Sequence, residues 1–316
     1  MRAITHNNWL VIVNPAAGAG KASNDWEQIK GYLFKHQFNF DYAFTSRRLH
    51  AMIIARNKVA EGYKKVIVVG GDGTMNEVIN GIFAQKNIPT NEVMLGMISV
   101  GTGNDWGKMF NIPTDYEQAV ITIKNQKTFI QDAGMVTYTR NNKNWQRYFI
   151  NIAGMGFGAK VVERSNKLKS KGKSSPGLYL ATLFTSLLSY RSIKAHIEID
   201  GEKYKRKLFS MNVGIGKYNG GGMMQVPHAI ADDGLYSITL IKRMGKLRVI
   251  ANIKKLYNGK ITTHRKVESY TGKSINIYSP GMLHIETDGE TLGHSPMEFQ
   301  IIPRSLKVIA NNDISA

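Results

Sequence analysis

The tract Gly70-Gly71-Asp72-Gly73-Thr74-Met75-Asn76-Glu77 joins the apolar run Val66-Ile67-Val68-Val69 to a helix-like segment. Residues of these types at this spacing suit phosphate binding. Glycines let the backbone turn sharply and approach an anion, a helix start offers unpaired N–H groups, and Asp72 supplies a carboxylate where magnesium would sit. A tight β-to-α turn with Thr74 as N-cap accounts for the glycines equally well but has no need of an acid among them. Two further acidic turns, Asp232-Asp233-Gly234-Leu235 and Asp288-Gly289-Glu290, lie late in the chain. A type I turn explains the first on its own, and an Asp-Gly hairpin over residues 285–292 explains the second.

Three more small-residue loops follow apolar runs. Asn14-Pro15-Ala16-Ala17-Gly18-Ala19-Gly20-Lys21 is not a P-loop, because Pro15 stands where the first glycine belongs and Ala22 where a hydroxyl residue should follow Lys21. Val100-Gly101-Thr102-Gly103-Asn104-Asp105 lacks the dinucleotide spacing. Gly154-Met155-Gly156-Phe157-Gly158 is best explained by close backbone packing at a strand end.

The elements that must hold these turns alternate through the first 125 residues. Strands are expected at 9–14, 38–44, 65–69 and 94–100, with helices at 23–35, 47–61, 74–83 and 116–124. This β-α repetition implies an α/β domain with a mostly parallel sheet flanked by helices, whose ligands bind beyond the carboxyl ends of the strands. From residue 126 the pattern becomes one of strands, at 149–152, 195–200, 208–214, 236–241 and 274–278, with helices at 159–169, 176–190 and 246–257. The reading is therefore an α/β domain over 1–125 and a β-rich, sandwich-like domain over 126–316. Leu306 to Ala310 is apolar enough for a strand, and the sequence leaves open whether it returns to the first domain.

The chain of 316 residues has no cysteine, which excludes disulfides and cysteine metal sites and suits a reducing cytosol. Residues 1–9 lack the apolar core of a signal peptide, and the weakly polar stretch 178–190 falls well short of the roughly 20 residues that span a bilayer. A soluble or peripheral protein is expected. The net charge of +19 is uneven: residues 1–125 carry +3 and the remainder +16. Three basic clusters lie in the second part, around Lys160–Lys173, Lys203–Lys207 and Lys254–Lys266, and such a surface attracts polyanions.

Taken in order, the Asn14-Pro15 loop with Gly18 and Gly20, the Gly70–Glu77 turn, Gly101–Asp105, Asp232–Leu235 and Asp288–Glu290 resemble the bacterial diacylglycerol kinase and sphingosine kinase superfamily of lipid kinases. The resemblance runs over roughly residues 9 to 310. It implies an NAD-kinase-like first domain and magnesium-dependent transfer of the ATP γ-phosphoryl group to a lipid hydroxyl, such as that of diacylglycerol. At matching positions, Asn14, Thr45, Gly71, Asp72, Gly73, Thr74, Met75, Asn76, Glu77, Thr102 and Asp105 would contact the nucleotide or its metal. Glu290 matches the general base, although Asp72 is the alternative for that role. A structural magnesium would use Asp233 with main-chain oxygens of Ile230 and Leu235, and Asp132 would be linked to it through water. The resemblance also implies a lipid substrate and peripheral attachment to the anionic inner face of the membrane. The helix around Leu178–Leu188 beside Lys160–Lys173 is the docking candidate, with core packing as the alternative for its leucines.

An NAD kinase shares the Gly-Gly-Asp-Gly turn but leaves the Asn14-Pro15 loop, the Asp-Asp-Gly tract and the basic second part unexplained. A nucleic-acid-binding module is motivated by charge alone, since no recognised motif accompanies it, and no nucleic-acid partner is expected. The sequence is silent on oligomeric state, so a homodimer stays open.

Overall fold

The computed structural model describes residues 6–101, 103–169 and 176–311. The chain divides into two compact units, Met1–Ala133 with Arg304–Ala316, and Gly134–Pro303. The crossings fall within two strands, so the division comes later than the change of pattern at residue 126.

In the first unit, β1 (Trp9–Val13), β2 (Phe40–Phe44), β3 (Lys65–Gly70) and β4 (Met94–Ser99) form a parallel sheet in the order β2-β1-β3-β4. The end of the chain's last strand joins beside β4, with Lys307 opposite Met94 and Val308 opposite Leu95. All five residues of β1 are buried, as expected for a strand covered on both faces. Helix α1 (Lys21–Lys35) buries Ala22, Trp26, Ile29 and Leu33 at helical spacing. They pack on Val11, Val13, Ile67 and Val69 together with Val120 and Ile123 of α5 (Tyr116–Asn125). Helices α2 (His50–Ala60) and α3 (Asp72–Ala84) cross at Gly81, where a Cβ would strike Met52 O and lie 2.8 Å from the Ala55 Cβ. The short α4 (Asp105–Met109) follows the Val100–Asp105 loop and buries Trp106 and Met109 at helical spacing.

The second unit begins within β5 (Thr128–Arg140), which forms a hairpin with β6 (Lys143–Phe149). It continues through β7 (Ile152–Gly156), α6 (Phe157–Lys169), α7 (Pro176–Ser189), β8 (Ile193–Ile199) and β9 (Glu202–Gly214). The two-residue strands β10 (Tyr218–Asn219) and β11 (Met223–Met224) pair with each other. After them come β12 (Tyr236–Lys242), α8 (Lys246–Tyr257), β13 (Val267–Gly272), β14 (Ser274–Tyr278), β15 (His284–Thr287) and β16 (Glu290–Ile309).

Strand pairing closes on itself: β9 pairs β7, β7 pairs β15, β15 pairs β16, β16 pairs β14, β14 pairs β8, and β8 returns to β9. The long β9 permits this, since its first half pairs β8 and its second half pairs β7 and β12. The expected sandwich-like domain is thus a closed antiparallel ring extended by β12 and β13. Helices α6 and α7 share a separate cluster, in which Phe157, Val161, Leu183 and Leu187 meet Val249, Ile253 and Leu256 of α8.

Sequence reading places one strand over residues 149–152, but the ladder breaks there. The N–H groups of Ile150, Asn151 and Ile152 turn instead to the Asp288 carboxylate. Among the described residues, no helix is long and apolar enough to cross a membrane.

Candidate active site

In the first unit the phosphate-type turn lies at the carboxyl end of β3. Gly71 is the N-cap of α3, in extended backbone and with no side chain capping the helix, so Thr74 is not the cap. Thr74 instead closes a polar network at the foot of the turn. The Asn14 Nδ2 donates to Thr74 Oγ1 at 2.9 Å, while its Oδ1 accepts from the Ala16 N–H at 3.1 Å and from Thr45 Oγ1 at 3.4 Å. A Cβ at Gly70 would sit 2.7 Å from that same Thr74 oxygen, so the strand can enter the turn only as glycine. Three residues from separate strand ends, Asn14, Thr45 and Thr74, are thereby brought together.

Asp72 spans two turns. Its Oδ2 accepts from the Asp105 N–H at 3.0 Å and its Oδ1 from the Trp106 N–H at 3.1 Å, so the carboxylate holds the start of α4 against the start of α3. Asp105 is buried, and its own carboxylate meets Lys108 at 3.3 Å. Other side chains of the turn point into the fold. Met75 and Asn76 are fully buried, Asn80 donates to Asn76, and Glu77 accepts from the N–H groups of Leu49 and Ala51 at the start of α2. Gly71 and Gly73, the glycines on either side of Asp72, are half-buried. Thr102 lies outside the described residues. Lys21 pairs with Asp25 and donates to Tyr116 Oη at 2.9 Å, a bonding pattern unlike that of a phosphate-binding lysine.

The second unit carries the other acidic turns. Asp288 and Gly289, with φ of 47° and 83°, form a two-residue hairpin between β15 and β16, and Thr287 pairs with Glu290. The half-buried Glu290 is the first residue past the turn. Asp288 faces inward and accepts three N–H groups, from Ile150, Asn151 and Ile152, each at 3.1 Å. The Asn166 Nδ2 of α6 donates to the Gly289 carbonyl at 3.1 Å.

Sequence reasoning missed Glu286, a carboxyl 1% exposed in the same hairpin. Burial pushes its pKa up to about 8, against the opposing effect of hydrogen bonds from the Gly289 N–H and Asn219. A lone Glu in an alternating strand gives no sign of this, because its partner Asn219 is 67 residues away.

Asp233 shapes its own loop: Oδ1 accepts from the Leu235 N–H at 2.9 Å, and the residue is exposed, as is Ile230. Hard oxygen donors of this kind, one carboxylate with nearby carbonyls, fit magnesium, which keeps several waters. Among the described residues no group of three or more His, Asp or Glu side chains could hold a metal by itself. Asp132, fully buried in the first unit, accepts from the Arg304 N–H at 2.7 Å.

Residues 8–136 match the diacylglycerol kinase catalytic domain, and residues 151–310 match the YegS C-terminal NAD kinase beta sandwich-like domain. The chain belongs to the diacylglycerol kinase catalytic domain family. Diacylglycerol kinases of Staphylococcus aureus strains RF122 and MRSA252 are each 31% identical over 96% of this chain and 92% of theirs. A solved structure of a candidate diacylglycerol kinase from Bacillus anthracis Sterne is 25% identical with a TM-score of 0.77, covering 98% of both chains. Yeast NADH kinase complexed with NADH shares the fold alone, at 10% identity and a TM-score of 0.52, with 96% of this chain and 84% of that one covered. The family is one of kinases, which implies use of ATP.

Proposed function

We propose that this family member is a magnesium-dependent lipid kinase that transfers the γ-phosphoryl group of ATP to the hydroxyl of diacylglycerol, giving phosphatidic acid. The observation that carries the reading is the match along nearly the whole chain to diacylglycerol kinases. The start of α3 in the Gly71–Glu77 turn, with Asn14, Thr45, Thr102 and Asp105, holds the nucleotide, since phosphoryl transfer rests on positioning and charge neutralisation. Bound magnesium would neutralise charge on the transferred group. Asp72 would hold the nucleotide's ion, and Asp233 with the carbonyls of Ile230 and Leu235 would hold a structural one.

Glu290 takes the proton of the acceptor hydroxyl. Glu290 stands at the position that the resemblance gives to the base, and Asp72 has both oxygens bonded to N–H donors that tie two helices together.

Docking to an anionic membrane is supported by the helices of the second unit, and the observations favour α8 over the α6 cluster. Lys160 and Lys167 pair with Glu163, and Arg164 bonds Ser186 and Ser189; Lys171 and Lys173 lie outside the described residues. Helix α8 instead turns a stripe outward, with Leu247 83% exposed and Ile250, Lys254 and Tyr257 following at helical spacing, flanked by Lys246 and Arg248. Leu188 of α7, 69% exposed, is bonded through its carbonyl to Lys246 and extends the patch. Exposed apolar groups among cations suit an anionic lipid surface at the inner, cytoplasmic face of the membrane.

Labelled ATP offered with diacylglycerol, ceramide, sphingosine, undecaprenol and NAD in parallel tests the reading. Label on diacylglycerol is the expected outcome, and label on NAD alone would sink it.

A further inference from the structure

The hairpin that carries Glu290 contains three acids in alternate positions, Glu286, Asp288 and Glu290. Like charges so close must be separated, neutralised or spread over donors. Asp288 has the three N–H donors of the 150–152 bend. Glu286 has fewer: Oε1 accepts from Asn219 Nδ2 at 2.8 Å and Oε2 from the Gly289 N–H at 2.9 Å.

Its other ladder neighbours among the described residues are uncharged. Across the ladder Glu286 faces Gly154 of β7 and Thr291 of β16. A Cβ at Gly154 would strike Glu286 Oε1, so the carboxyl occupies space that the glycine leaves open. That same Cβ would lie 3.3 Å from Asn212 Oδ1 of β9, a buried oxygen with no hydrogen-bond donor among the described residues. Asn166 of α6 meets the turn at the Gly289 carbonyl. Among the described residues the charged groups acting on Glu286 are Asp288 and Glu290, both acidic, and both disfavour a further negative charge.

We propose that Glu286 is a positioning residue for Glu290: a buried, neutral carboxylic acid that fastens the Gly289 amide and supplies a proton toward Asn212, fixing the turn from which Glu290 projects. The proton balances the local inventory. Glu286 Oε1 and the unpartnered Asn212 Oδ1 both face the space over Gly154, and a proton on the acid is the donor that the second oxygen lacks. Loss of that proton places a third negative charge in the hairpin, weakens Glu290 as a base of defined geometry, and lowers turnover at alkaline pH. The link to turnover rests on the role proposed for Glu290; the protonation of Glu286 does not.

Two measurements on the full chain keep those apart. In the first, the Gly289 amide resonance is followed by NMR from pH 6 to pH 9.5. It is expected to shift with a midpoint near 8, to stay flat in Glu286→Gln, and to move to a higher midpoint in Asn219→Ala, which removes a donor that favours the charged form. A flat wild-type resonance, or an unchanged midpoint in Asn219→Ala, overturns the proposal whatever the kinase assay shows. In the second, phosphoryl transfer is measured over the same range. With that midpoint, wild-type turnover at pH 9 falls roughly tenfold below its plateau, while Glu286→Gln loses this alkaline limb. An identical limb in both proteins overturns the positioning role. Absence of transfer to every acceptor counts against the lipid-kinase reading and leaves the amide titration to decide the state of Glu286.

Discussion

Two tight turns carry the two carboxylates that are candidates for the base, and they use their acids differently. At the Asp72 turn the motif acid is itself a strut, accepting the N–H groups of Asp105 and Trp106. At the Asp288–Glu290 turn the work is divided: Asp288 anchors the hairpin to the 150–152 bend, and Glu290 stands half-buried beyond it. A phosphate cradle needs a rigid loop of N–H donors, whereas a base needs a carboxylate that reaches the acceptor's proton. The comparison teaches that an acid within a motif is read by its donors before its position.

The sharpest way to break this contrast is to remove each acid in turn. Glu290→Gln is expected to lower turnover by about a hundredfold or more, the scale of a lost general base, with the thermal midpoint unchanged. Full activity in that variant would move the base to Asp72. Asp288→Ala should act on the fold, since it leaves three buried N–H groups without their acceptor; urea unfolding is expected to show a loss of about 3 kcal/mol or more. Asp72→Asn replaces one accepting oxygen with a donor facing an N–H, so the apparent affinity for ATP should fall together with stability. A normal thermal midpoint for Asp72→Asn would show that the strut is dispensable.

Two smaller effects sharpen the account. A carboxyl whose pKa is raised on folding favours the folded state while it holds its proton, so the Glu286 contribution is full below its free value of 4.5 and is lost as the pH rises to about 8. Urea titrations from pH 5 to pH 9 should show that decline in wild type and a flatter curve in Glu286→Gln. For the membrane face, Lys254→Gln is expected to weaken binding to anionic vesicles about fivefold, the ~1 kcal/mol of one cation at such a surface. Binding that ignores anionic lipid content and salt would refute the electrostatic part.

Much of the architecture could be read from the chain because its signals are local. The buried runs of β1, β3 and β4 are bounded by glycine and polar turns, and the α1 stripe Ala22, Trp26, Ile29 and Leu33 has the period of a covered helix. Helix α8 was expected over the residues it occupies. What escaped was set by distant partners. Asp288 finds its donors 136 to 138 residues away, so neither the break at Ile150-Asn151 nor the inward turn of Asp288 has a local mark. Ring closure by β8, β9 and β14 depends on one strand pairing different neighbours along its length, which alternation cannot encode. The outward stripe on α8 is another such case, since Leu247, Ile250 and Tyr257 have the spacing of a core face and only packing shows that Val249, Ile253 and Leu256 form it.

The central claim is that the chain phosphorylates a lipid hydroxyl with Glu290 as base. Transfer of labelled γ-phosphate from ATP to diacylglycerol in anionic vesicles tests it most directly, run with wild type and Glu290→Gln side by side. The account predicts labelled phosphatidic acid with wild type and a loss of about a hundredfold or more in the variant; label on NAD alone, or equal transfer by both proteins, would contradict it.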